Sequence, residues 1–175
     1  IEAFNCESLQ EIFVINEMAH LHGVKANISV RINPDIDAHT HKYVTTGLYE
    51  NKFGISNHEF DKLIEFIQKS EHINFIGLHF HIGSQITRVD EVFSLECKRV
   101  NEIVKYFESK GLTVRNINLG GGLGVDYDDP DGNPIADFKT WFNAIDRNII
   151  RRADQTVHVE PGRSLVAQCA SLISR

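Results

Sequence analysis

No run of lysines or arginines occurs in these 175 residues, and acidic side chains outnumber basic ones by six (24 against 18). That balance argues against nucleic acid as a partner. No apolar stretch approaches the length needed to span a bilayer, and Ile1-Glu2-Ala3-Phe4 has none of the features of a signal peptide. Only three cysteines are present, Cys6, Cys97 and Cys169, far apart and without a CxxC pair. The pattern favours reduced thiols in a cytoplasmic protein over a disulfide framework or a zinc knuckle. No internal repeat, low-complexity tract or domain linker is visible. There is no initiator Met, the first residues open mid-pattern, and an apolar run from Ser164 to Ile173 closes the sequence. A piece of a longer protein is therefore expected.

What is present is ordinary globular composition, 42% hydrophobic and 24% charged, with room for a core. Ile1 to Phe4 read as the end of a strand. A helix follows from Glu7-Ser8, with Leu9, Ile12, Phe13, Ile15, Met18, Ala19 and Leu21 at helical spacing, and His22-Gly23 ends it. Asn27 to Asn33 alternate as a strand that Pro34 stops. After a polar loop from Asp35 to Asn51, Ser56 and Glu59 form a capping box for a helix through Phe60, Leu63, Ile64 and Ile67. Within Phe75 to Gln85 the apolar run reads as a strand with His81 at its carboxyl end and a Gly83-Ser84 turn after it, Val89 to Ser109 as a helix closed by Gly111, and Val114 to Leu119 as a strand. A helix from about Ile135 to Ile150 leads to a last strand, Thr156 to Val159. Strictly alternating strands and helices predict an α/β fold with a parallel sheet, and a (β/α)8 TIM-type barrel best lets the strand ends converge.

Three strand ends carry the candidate chemistry: His81-Ile82-Gly83-Ser84, Gly120-Gly121-Gly122 and Glu160-Pro161-Gly162-Arg163. Alternation puts Phe75, Gly77, His79 and His81 on one face of their strand and Ile76, Leu78, Phe80 and Ile82 on the other. The glycine triplet has no side chains to keep a ligand from its amides, so it is either a phosphate cradle or a plain turn. Glu160 projects into the barrel mouth or caps a neighbour. Arg163 either forks onto a carboxylate or phosphate or stays on the surface, and Ser84 either donates to a phosphate or caps a helix. Arg31, among polar strand residues, needs a partner or a ligand. His79 and His81 also admit a metal-dependent barrel hydrolase with Glu160 or Asp126, although His158 reads as pointing away from Glu160. His20, His22, His39, His41, His58 and His72 read as solvated, and Asp35, Asp37, His39 and His41 fit no calcium loop.

Taken together the motifs resemble the pyridoxal-phosphate-dependent amino-acid decarboxylases of the alanine-racemase-like barrel fold. The residues that carry the resemblance are Arg31-Ile32-Asn33-Pro34-Asp35, Thr46-Gly47, Lys52-Phe53-Gly54, His81 to Gln85, Gly120 to Val125 with Tyr127, and Glu160 to Arg163. Ser84-Gln85 and Leu123-Gly124-Val125 look like the branch acting on diaminopimelate more than the branch acting on ornithine. The resemblance implies that His81 stacks on the pyridine ring and that Glu160 pairs with the protonated ring nitrogen. It implies that Ser84, Gly121, Gly122, Pro161, Gly162 and Arg163 hold the cofactor, chiefly its phosphate, with Arg163 also meeting a substrate carboxylate.

For the whole protein the resemblance implies a cytoplasmic homodimer that converts meso-diaminopimelate to L-lysine and carbon dioxide, the last step of lysine biosynthesis. Ornithine, arginine or carboxynorspermidine are the alternative substrates, and a non-catalytic pyridoxal-phosphate-binding barrel is the alternative from another class. Two of the family's parts are missing from these residues. Its cofactor-attaching lysine lies on an earlier strand, and Lys25, before the Arg31 strand, reads as solvated. Its β-rich second domain with a catalytic cysteine is also missing, and Cys169 does not replace that cysteine. Residues 1–175 are thus expected to be five or six barrel strands of the cofactor domain, inactive alone.

Overall fold

A computed structural model describes residues 1–36, 53–169 and 173. Five strands, β1 (Phe4–Cys6), β2 (Ala26–Arg31), β3 (Ile73–His79), β4 (Asn116–Asn118) and β5 (Thr156–His158), pair in sequence order and are all parallel. Between them run α1 (Leu9–Leu21), α2 (Phe60–Lys69), α3 (Val89–Ser109) and α4 (Phe138–Asn148), and a short α5 (Arg163–Val166) follows β5. Consecutive parallel neighbours joined by helices form an arc of a (β/α)8 barrel. The Asp37–Asn51 part of the expected polar loop, with Thr46-Gly47, and Lys52 lie outside the described residues.

The caps explain where helices begin. The Ser8 hydroxyl accepts the Glu11 N–H and starts α1, and the Glu59 carboxylate accepts the Ser56 N–H at 3.4 Å ahead of α2. That helix opens as a 3-10 turn, Asn57–Glu59. Asp137 caps α4 through the Thr140 N–H, so the helix starts later than Ile135. At the far side of α1, His20 Nδ1 and His72 Nε2 meet at 2.9 Å, so two histidines expected to be separately solvated form a pair.

Ile28, Val30, Leu78 and Ile117 are fully buried beneath the helices, each such side chain contributing about 1.5–3 kcal/mol on burial. The opposite face of the sheet carries Asn27, Ser29, Arg31, Gly77, His79, Asn116 and Asn118. One feature of β3 departs from simple alternation. Ile28 pairs with Phe75 but Ser29 pairs with Gly77, so Ile76 is an extra residue, a bulge. The bulge moves Phe75 off the face of Gly77 and His79 and onto the helix side, where its ring stacks on Phe107 at 6.3 Å. Asn74 takes the inner place, donating to Asn27 at 2.7 Å. The strand ends at His79, so His81, expected at its carboxyl end, sits just beyond it.

Candidate functional site

The carboxyl ends of β2 to β5 place four polar side chains in a row. Arg31 is opposite His79, His79 is opposite Asn118, and Asn118 is opposite His158. Glu160 stands two residues past His158. Thr156, His158 and Glu160 are exposed while Val157 and Val159 pack on the core, so His158 shares the face of Glu160 rather than pointing away.

The Glu160 carboxylate is held from two strands. Asn118 Nδ2 donates to Oε1 at 2.8 Å, and His79 Nε2 lies 3.4 Å from Oε2. His79 is buried, and burial holds its pKa below the ordinary histidine range, with Arg31 adding to the effect and Glu160 opposing it. His81 is lowered in the same way by burial, then by Arg31 and His79. Both rings are therefore neutral near pH 7. His81 Nδ1 accepts the Gly121 N–H at 3.3 Å, which leaves its proton on Nε2. Arg31 is paired, as its setting required: it bonds Glu7 and lies 5.2 Å from the Phe53 ring centroid.

The glycine triplet is packed rather than open. A Cβ on Gly120 would stand 2.2 Å from the Phe80 carbonyl oxygen, one on Gly121 2.2 Å from that of Glu160, and one on Gly122 2.4 Å from that of Gly83. Two of its amides are engaged, Gly120 N–H on Asn118 Oδ1 and Gly121 N–H on His81 Nδ1. Among the described residues the Gly122 N–H has no partner, so the triplet offers one amide where the sequence suggested a cradle of them. The open position is Gly162, where an added Cβ would meet nothing within 4 Å. Next to it, Arg163 donates to Tyr127 Oη at 2.6 Å and to Ser84 Oγ at 3.4 Å.

The structure thus brings His81, Ser84, the triplet, Glu160, Gly162 and Arg163 to one end of the sheet. The sequence reading missed Asn118 and the contact of His79 with Glu160. The signal lay in Asn118 itself, a polar residue inside an apolar strand just before the triplet. His79 and His81 have no third metal-ligating partner among the described residues. Lys25 is exposed ahead of β2, away from the row. Burial pushes the Cys6 and Cys97 thiols up to about 12, with Glu11 and Glu96 adding to it, so neither is reactive.

Comparison with known proteins gives the family and the fold. The model of the pyridoxal-dependent decarboxylase family, pyridoxal binding domain, matches residues 1–167. The diaminopimelate decarboxylase of Bacteroides thetaiotaomicron is 47% identical over 175 residues, covering 100% of this chain and 45% of that protein. That of Pseudomonas aeruginosa is 41% identical over 175 residues, covering 100% and 41%. The crystal structure of diaminopimelate decarboxylase from M. jannaschii in co-complex with L-lysine superposes with a TM-score of 0.78 at 35% identity, covering 95% of this chain and 39% of that one. The chain spans less than half the length of these relatives.

Proposed function

The chain belongs to the pyridoxal-dependent decarboxylases through their pyridoxal-binding domain, and from that premise we propose that the whole protein converts meso-diaminopimelate to L-lysine and carbon dioxide. One observation carries the reading. Glu160, fixed by Asn118, stands at the same sheet end as neutral His81 and the Ser84–Arg163 pair.

These residues fit pyridoxal phosphate. Ser84, the Gly122 amide, Gly162 and Arg163 would hold the phosphate, since they combine a hydroxyl, a backbone donor, open space and a guanidinium. Gly121 and Pro161 shape the backbone around them. The Glu160 carboxylate would keep a proton on the ring nitrogen, and the uncharged His81 ring would lie against the pyridine face. When bound, the cofactor supplies a conjugated ring that accepts the electron pair left behind as carbon dioxide departs. Arg163 has five N–H donors and keeps some for a substrate carboxylate after meeting Ser84 and Tyr127.

We assign to the remainder of the protein the first barrel strands, the cofactor-attaching lysine and a β-rich domain with the catalytic cysteine. A cytoplasmic homodimer is our reading of the assembly. Cys6, Cys97 and Cys169 are unpaired thiols, which suits a reducing compartment. Among the described residues no helix is long and apolar enough to cross a membrane.

The test is an assay of the full-length protein loaded with pyridoxal phosphate. It should release carbon dioxide and lysine in equal amounts from meso-diaminopimelate, with or without a chelator. Faster turnover of ornithine, arginine or carboxynorspermidine would overturn the substrate. Activity lost to a chelator and restored by zinc would overturn the cofactor.

A further inference from the structure

Three buried polar atoms on neighbouring strands have no hydrogen-bond partner among the described residues: Arg31 Nε, His79 Nδ1 and His79 Nε2. A buried donor or acceptor left unmet is strongly disfavoured. Arg31 and His79 are register partners on β2 and β3, and both side chains lie on the inner face. His79 Nε2 is 3.4 Å from Glu160 Oε2, and Asn118 occupies Oε1. The Asn118 amide is not free to flip, because its Oδ1 accepts the Gly120 N–H at 2.9 Å and its Nδ2 must then face Glu160.

We propose that His79 and Asn118 are positioning residues for Glu160, a relay across β3 and β4 in which His79 Nε2–H is directed at Glu160 Oε2 and Asn118 Nδ2–H donates to Oε1, with the Arg31 charge beside His79. This assignment gives His79 Nε2 the carboxylate oxygen that it lies beside. The other neutral tautomer fails there, because a bare Nε2 would face the carboxylate with two sets of lone pairs. The charged groups around His79 are Glu160, Arg31 and, behind Arg31, Glu7, with His81 two residues on. Burial and Arg31 keep the ring neutral, the state that the relay requires.

The relay rests on reading Glu160 as the partner of the cofactor's ring nitrogen. One donor on each carboxylate oxygen fixes the plane of the group. It also favours a proton residing on the ring nitrogen rather than on Glu160, because a protonated carboxyl would lose strength in both bonds.

The experiment has two arms, both on the full-length protein. Without cofactor, histidine side chains labelled with nitrogen-15 report tautomer and charge by long-range proton–nitrogen correlation. His79 should be the neutral Nε2–H tautomer at pH 7 and should take up its second proton at a lower pH than an ordinary histidine. An Nδ1–H tautomer, or titration like a free histidine, overturns the relay. With pyridoxal phosphate labelled at the ring nitrogen, Glu160→Gln and His79→Leu should both move that resonance toward the unprotonated position. His79→Gln, which keeps a donor, should move it less. For His79→Leu, kcat should fall about tenfold or more with KM little changed. A ring signal that responds to Glu160→Gln but not to His79→Leu overturns the relay and leaves the cofactor reading standing. A signal that responds to neither overturns the cofactor reading, and the first arm then decides the relay.

Discussion

The side-chain amide of Gln85 pairs with both backbone groups of Val125, donating to its carbonyl oxygen at 2.6 Å and accepting its N–H at 3.2 Å. Gln85 does this from a left-handed backbone, φ 60°. Beside it, Ile86 N–H donates to Gly122 O at 2.9 Å and Gly124 N–H to Ile86 O at 3.0 Å. The loop that carries Ser84 is thereby zipped to the loop that follows the glycine triplet. Gln85→Leu, losing both amide bonds, should cost about 1–3 kcal/mol of stability. It should also weaken pyridoxal phosphate binding, because Ser84 and Gly122 lose their common frame. Denaturant melts and cofactor titration check the two effects, and a stability loss with unchanged binding would confine the clamp to folding.

Two glycines of the site should respond in opposite ways to one methyl group. At Gly121 an added Cβ lands 2.2 Å from the Glu160 carbonyl oxygen, a backbone atom that cannot turn aside. Gly121→Ala should lower stability by about 1–3 kcal/mol. Gly162 has nothing within 4 Å of an added Cβ. Gly162→Ala should melt like the wild type yet bind the cofactor less tightly, since the methyl enters the space given to the phosphate. A Gly162→Ala protein with unchanged affinity would place the phosphate elsewhere.

Glu96 predicts the pH dependence of stability. It is fully buried on α3 with neither carboxyl oxygen hydrogen-bonded among the described residues, and burial raises its pKa well above 4.5. A folded-state pKa raised above the unfolded value means that the folded chain binds more protons. Stability from this group is complete below the unfolded pKa and is lost as pH rises toward and through the folded one. Glu96→Gln removes the titration. Its stability relative to the wild type should therefore increase as pH rises from about 4.5 toward 8. Parallel pH profiles in thermal melts of the two proteins would show that Glu96 is not buried as a neutral acid.

The sequence displayed the parts that obey local rules. The Val89–Ser109 helix follows from its apolar spacing and Gly111, and the Ser8 and Ser56–Glu59 caps are local chemistry. The meeting of Ser84 with Arg163 follows from strand ends sharing one edge of a parallel sheet. What escaped depends on pairing between strands. The extra residue at Ile76 is set by β2–β3 register, and no alternation within 75–85 reveals it. Asn118 acquires its role only when β4 lies between β3 and β5, which brings Glu160 within reach of its amide. The packed state of the glycine triplet is equally nonlocal, since Phe80, Gly83 and Glu160 fill the space that its missing side chains leave.

The most direct test of the account compares two ligands that differ only in the phosphate. Equilibrium binding of pyridoxal phosphate and of pyridoxal would be measured on full-length wild type, Ser84→Ala and Arg163→Ala. If Ser84 and Arg163 hold the phosphate, Arg163→Ala should weaken pyridoxal phosphate about tenfold or more, and Ser84→Ala by a smaller factor. Neither variant should change the affinity for pyridoxal. Equal losses for both ligands, or no loss for either, would contradict the placement of the cofactor at this end of the sheet.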